Sequence, residues 1–186
     1  MSSVQIGTFH ENHRRQTGWG DRQRQTLYKL ADEVLDEAVH AVRDPRNGFS
    51  EAARKRAALS LQDRRPYSMS AAIVYGPGAS LPNHVDGHGS WVVLWTLGGS
   101  TQFNCSGEVV ELRSGDALVF HGSAAANYTH GFSRWDAPKH WPGDVPGWLH
   151  RCRMSVQARM QGDEIFGLVG GGGGGGAAGG GGVVLG

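Results

Sequence analysis

Two cysteines, Cys105 and Cys152, are all the thiol chemistry this 186-residue chain holds, and neither sits in a Cys-x-x-Cys pair. That excludes a disulfide framework and a zinc knuckle and leaves two reduced core thiols as the expectation. Long apolar runs are missing too. With no stretch of about 18 apolar residues there is no candidate membrane-spanning helix, and the N-terminus lacks the apolar core of a secretory signal. A soluble intracellular protein, nuclear or cytoplasmic and without a membrane partner, is expected. Arg14, Arg15, Arg22, Arg24 and Lys29 against Glu11 and Asp21 leave an organellar address open. A net charge of only +1 excludes recruitment to a polyanion through bulk charge, so any nucleic-acid partner must be met by a local patch.

Composition divides what is present into four parts. At 39% hydrophobic the chain is long enough for one domain with its own core, expected as a monomer. Residues 1–26 are polar and rich in His, Arg and Gln, and read as a flexible arm. Residues 27–65 read as helical. Leu27, Leu30, Ala31, Val34, Leu35, Ala38, Val39 and Val42 recur at three and four residues until Asp44-Pro45 ends the pattern, which predicts an amphipathic helix. A second helix is predicted from Ser50, a plausible cap, to about Leu61. Its Arg54, Lys55 and Arg56, with Arg64 and Arg65 beyond, form the most basic segment, either a solvated helix face or a lid for an anionic substrate. Residues 66–161 change to short strands between Gly, Pro and Asn: Met69 to Tyr75, Trp91 to Leu97, Thr101 to Cys105, Val109 to Leu112, Ala117 to Phe120 and Arg151 to Met160. The fold class is therefore mainly β, an α+β chain with a sandwich or barrel core behind N-terminal helices. Residues 162–186 carry an unbroken Gly170 to Gly176 run and read as a disordered tail.

Chemistry concentrates in Asn83-His84-Val85-Asp86-Gly87. Residues i and i+2 of a strand share a face, so His84 and Asp86 can hold one ion together and leave half its coordination sphere free. The third ligand must return to the mouth of the same sheet. His121, His130, His140 and His150 are available. His130, which opens a new β-like stretch, is preferred, and His121, at the end of its strand, is second. In the last strand Arg151, Arg153, Ser155, Gln157 and Arg159 alternate with Cys152, Met154, Val156, Ala158 and Met160, giving one polar and one apolar face. A solvent-facing sheet explains that polar face. So does a carboxylate-binding role, because the guanidinium fork takes a carboxylate through two parallel hydrogen bonds. Arg153 and Arg159, ~20 Å apart at ~3.3 Å per residue, are the candidates for anchoring a dicarboxylate.

Tyr75-Gly76-Pro77-Gly78, His84-x-Asp86, the Gly115-Asp116 turn, Tyr128-Thr129-His130-Gly131 and Arg153-x5-Arg159 come in one order, and in that order the chain resembles the AlkB-like 2-oxoglutarate and Fe(II)-dependent dioxygenases over about residues 69–160. The resemblance implies a double-stranded β-helix (jelly-roll) with His84, Asp86 and His130 as the iron triad. It also implies Arg153 on the distal carboxylate of 2-oxoglutarate, with Tyr75 and Arg159 supporting that cosubstrate. The implied cofactors are Fe(II), 2-oxoglutarate and O2. The implied reaction is oxidative demethylation of N-methylated nucleic acid, with methylated single-stranded DNA or RNA as partner.

Three departures from the family pattern stand out. Ile73 occupies a position where the family often has a cosubstrate-contacting Asn. Gly87-His88-Gly89 follows the His-x-Asp where nucleic-acid repair members tend to carry acidic residues. Ser155 replaces an Asn common in the last strand. The second departure favours the same chemistry on a protein side chain or small metabolite. A jelly-roll binding module without catalysis is a further alternative, against which the intact triad and both arginines weigh.

Overall fold

In the computed structural model of the chain, residues 3–10, 15–17, 20–86, 90–122, 128–136, 147, 149–161 and 183–185 are described. The strands are β1 (Ser3–His10), β2 (Arg15–Thr17), β3 (Tyr67–Tyr75), β4 (Leu81–Val85), β5 (Trp91–Gly98), β6 (Ser100–Cys105), β7 (Glu108–Leu112), β8 (Ala117–His121), β9 (Thr129–Asp136), β10 (Arg153–Met160) and β11 (Val183–Leu185). Two helices, α1 (Asp21–Arg43) and α2 (Glu51–Gln62), precede β3.

The strands form two antiparallel sheets, β11-β8-β5-β10-β3-β1-β2 and β4-β9-β6-β7. Between β3 and β10 the chain deals four strands to each sheet, β8-β5-β10-β3 facing β4-β9-β6-β7. That arrangement is a double-stranded β-helix, the jelly-roll. Val92, Leu94, Leu118 and Phe120 from the larger sheet and Phe103, Leu112 and Phe132 from the smaller one close a shared core between the layers.

Alternation along the strands separates this interior from a second core behind the larger sheet. There Val93, Val119, Ala158 and Met160 pack against Leu35, Ala38 and Val39 of α1 and Ala58 and Leu61 of α2. Fully buried leucines such as Leu35 and Leu61 stabilise that layer by roughly 2–3 kcal/mol each. The helix starts and stops follow local chemistry. Ser50 Oγ accepts from Ala53 N at 3.3 Å, and α1 ends where Asp44 caps the Pro45–Asn47 turn through Arg46 N at 2.9 Å.

Several expectations are corrected. Residues 1–26 are not all loose: β1 pairs along β3, and β2 pairs with β1. A strand edge offers unpaired backbone groups that a polar segment can satisfy whatever its side-chain pattern. Helix α1 begins at Asp21, six residues before the apolar stripe, with Arg24 paired to Asp21 in its first turn. The stripe itself is narrower than expected: Leu30 is 46% exposed, while Arg24 and Tyr28 are buried. At the other end Val183–Leu185 pairs with β8; the glycine run of the tail lies outside the described residues.

Candidate metal centre

His84 stands on β4 directly across the ladder from His130 on β9, and Asp86 follows one residue after β4 ends. The two imidazoles and the carboxylate place their ligand atoms within 4.8 Å of one another. His84 Nε2 is 3.6 Å from Asp86 Oδ1 and His130 Nε2 is 3.6 Å from Asp86 Oδ2. Each ring turns its other nitrogen to a main-chain oxygen: His84 Nδ1 to Pro82 O at 2.9 Å and His130 Nδ1 to Tyr128 O at 3.3 Å. A carbonyl only accepts, so Nδ1 carries the proton and Nε2 keeps its lone pair for a metal. Burial also holds His130 below the usual imidazole range, with the Asp86 carboxylate offsetting part of that and His84 adding to it. Two imidazoles and one carboxylate gathered in this way can hold a single metal ion and leave positions on it open. The set opens to one side, the His84 side chain being 39% exposed against 9% for Asp86 and 4% for His130.

An aromatic shell fixes the buried ligand. Phe120 lies 4.6 Å from the His130 ring centroid, and Phe103 and Tyr128 stack on it at 6.1 and 6.0 Å. His121, the alternative ligand, is excluded by parity. It pairs across the ladder with Trp91 and meets that ring edge-on at 5.1 Å, on the outer face with Val93 and Val119. His150 is exposed in a turn before β10, and His140 lies outside the described residues.

The polar face of β10 is not turned to solvent. Arg153, Ser155, Gln157 and Arg159 are all buried, and they point between the sheets because Val156, Ala158 and Met160 take the helix-facing side. Arg151 falls out of this set: the strand begins at Arg153, and Arg151 is exposed in the preceding turn. Arg153 is fully buried. Its Nη1 donates to Ser155 Oγ at 2.8 Å and its Nη2 to Thr96 Oγ1 at 3.2 Å, while its Nε has no partner. The guanidinium carbon lies 4.7 Å from the centroid of Phe132 and 5.6 Å from that of Tyr75, the residue opposite it on β3. Burial holds its pKa down to about 10, against the pull of Tyr75, so it stays charged at neutral pH. No carboxylate pairs with it among the described residues, and three of its five N–H groups remain for a ligand.

Arg159, at the other end of β10, faces the metal ligands. Its Nε and Nη2 reach Gln157 Oε1 at 3.2 and 3.0 Å, and its Nη1 is 2.7 Å from Asp86 Oδ2. That last contact is ionic and poorly directed, leaving both atoms without a hydrogen-bond partner. Tyr75 is buried, with its phenol pushed up by burial and bonded to Ser155. The structure thus brings Tyr75, Asp86, His130, Arg153 and Arg159 to the interior, with the partly exposed His84 at its open side. Thr96 and Gln157, which position the two guanidiniums, carry no signal of their own in the sequence, although Gln157 shares their alternation.

Neither a protein-family model nor a curated protein matches the chain. Among solved structures, similarity extends to a predicted oxalate decarboxylase from Thermotoga maritima (14% identity over 61% of this chain and 75% of that one, TM-score 0.37). It extends also to KdgF from Halomonas sp. (15% identity, 56% and 80%, TM-score 0.36) and to a Pseudomonas putida prolyl-4-hydroxylase (14% identity, 70% and 79%, TM-score 0.37).

Proposed function

We propose that the chain is an AlkB-like mononuclear iron dioxygenase that uses 2-oxoglutarate and O2. His84, Asp86 and His130 hold Fe(II), Arg153 takes the distal carboxylate of the cosubstrate, and Tyr75 and Arg159 support it. When bound, the iron supplies the coupling of 2-oxoglutarate decarboxylation, to succinate and CO2, with oxidation of a substrate C–H bond. If that carbon is an N-methyl, the sum is N–CH3 plus O2 plus 2-oxoglutarate giving N–H, formaldehyde, succinate and CO2.

The observation that carries this reading is the buried Arg153 guanidinium, with which no carboxylate pairs among the described residues. An isolated charge in an apolar interior costs several kcal/mol unless an anion completes it. Register places Ala71, Gln157 and Leu94 level with one another between the two arginines. The Arg153 head bonds back toward Ser155 and the Arg159 head toward Gln157, so both guanidiniums are held on the inner face of β10, where a dicarboxylate would meet them. The residues that hold the cosubstrate also exclude water from it, Phe132 and Tyr75 walling the Arg153 end.

Methylated single-stranded DNA or RNA is the first substrate to try. One observation favours the second reading, a protein side chain or small metabolite. The basic helix α2 packs behind the larger sheet, where Ser60 O accepts from Trp91 Nε1 at 3.0 Å, and Arg64 is engaged with Asp36 on α1. Neither position roofs the open His84 side.

The deciding experiment adds Fe(II) and then 2-oxoglutarate under anaerobic conditions and follows visible absorption. A charge-transfer band that appears only with both, is lost in His130→Ala and is followed in air by succinate release is the expected result. Metal binding indifferent to 2-oxoglutarate would overturn the cosubstrate assignment.

A further inference from the structure

Register along β4 and β9 contains an irregularity placed at the metal ligands. Leu81 pairs with Phe132 and His84 with His130, so Pro82 and Asn83 together oppose the single residue Gly131. This is a β-bulge, an extra residue that re-aims the side chains beyond it. In a regular strand Leu81 and His84, three apart, would face opposite sides. Across the bulge both face inward: Leu81 packs on the interior cluster with Phe132, and His84 meets His130 at 4.3 Å between ring centroids.

Gly131 leaves no room for a side chain at this point. A Cβ there would lie 2.5 Å from Leu81 O, 2.7 Å from Asn83 Oδ1 and 2.8 Å from Asn83 N. Two of these are main-chain atoms of the bulge and cannot swing away. Any Cβ must push β4 outward, and β4 is an edge strand held to the sheet by β9. His84 sits one residue beyond the crowded atoms, and its Nδ1 is tied to Pro82 O inside the bulge.

We infer that Gly131 is a positioning residue for the metal centre: its bare backbone is what lets the Pro82-Asn83 bulge lie flush against β9 with His84 turned into the site. The inference rests on the metal-site reading and concerns how the ligands are held rather than which metal they take.

The test measures Mn(II) affinity by titration calorimetry and folding by thermal melts, so it reads the site without turnover. Gly131→Ala should weaken Mn(II) binding at least tenfold. Deleting Asn83 leaves Pro82 opposite residue 131 and His84 opposite His130 in a regular ladder. The same alanine in that background should therefore cost less than threefold. Wild-type affinity in Gly131→Ala would overturn the inference, as would a folded double variant that fails to regain metal. Should Gly131→Ala not fold, the double variant decides alone: a folded, metal-binding double variant supports the inference, and any other outcome overturns it. A wild type that binds no divalent metal would instead overturn the metal-site reading, on which this one stands.

Discussion

Arg159 and Asp86 form an ion pair inside the barrel, 2.7 Å apart with both side chains less than a tenth exposed, and the carboxylate of that pair is also a candidate metal ligand. The guanidinium is thus the counter-ion of the Asp86 carboxylate and would share it with a bound cation. Replacing Arg159 by Met leaves a buried charge unpaired, which costs about 3–5 kcal/mol. The metal-free variant should melt well below wild type. Mn(II), by supplying the missing positive charge, should raise its Tm by more than it raises that of wild type. Equal melting of the two metal-free proteins would remove the pair from any structural role.

Alanine at His84, Asp86 or His130 should abolish stoichiometric Fe(II) binding, whereas His121→Ala should retain it, since His121 lies against Trp91 on the outer face. Calorimetric titration under nitrogen separates the four. Metal retained by His130→Ala and lost by His121→Ala would mean the wrong histidine has been assigned.

Arg153→Lys keeps a charge but loses the planar fork, so the apparent KM for 2-oxoglutarate should rise on the order of tenfold, two charge-assisted hydrogen bonds being worth about 1.5–3 kcal/mol each. Arg153→Met makes an opposite prediction for stability. Removing a buried cation that has no counter-ion among the described residues should make the ligand-free protein more stable, by about 1–4 kcal/mol if packing is kept. Denaturant melts decide it: a less stable Arg153→Met protein would show that the hydroxyls of Ser155 and Thr96 already compensate the charge.

His130 gives the metal-free protein a pH signature. Its folded pKa lies below the unfolded value of about 6.5, so the unfolded chain binds more protons as the pH drops and the native state loses ground. Stability from this group is full above about pH 6.5 and falls as the pH drops toward the folded pKa. The wild-type melting curve should therefore fall more steeply below that pH than that of His130→Gln. Parallel curves would mean that the imidazole is not held neutral by its surroundings.

Neutralising Arg54, Lys55, Arg56, Arg64 and Arg65 together should leave turnover within about twofold, because the segment lies behind the sheet and its exposed pairs contribute at most about 1 kcal/mol each. Affinity for methylated single-stranded DNA and RNA across a salt series gives the second readout. A steep salt dependence that flattens in the variant would restore the segment as a path for nucleic acid.

The second helix and most strands of the core were legible to within two residues, because alternation and capping are local properties of the chain. The clustering of His84, Asp86 and His130 was legible too, since the first two are two apart and His130 lies at the start of a strand. What the pattern of β10 could not tell was which face is inside. Period-two alternation is symmetric, and a row of Arg, Ser, Gln and Arg reads as solvent-facing until helices are seen to cover the apolar side. Strand β4 was harder for another reason: the extra residue at Pro82-Asn83 breaks the alternation that would mark it. The pairing of β1 rests on an open backbone edge, which no side-chain pattern records.

The two halves of the site belong to different layers. His84 and His130 hang from the smaller sheet and Arg153 and Arg159 from the larger, so a dicarboxylate chelating the metal while seated on Arg153 would work as a rivet between two plates. The Asp86–Arg159 pair already fastens the two plates beside the histidines without any ligand, so the rivet would add a second fastening toward the Arg153 end of β10.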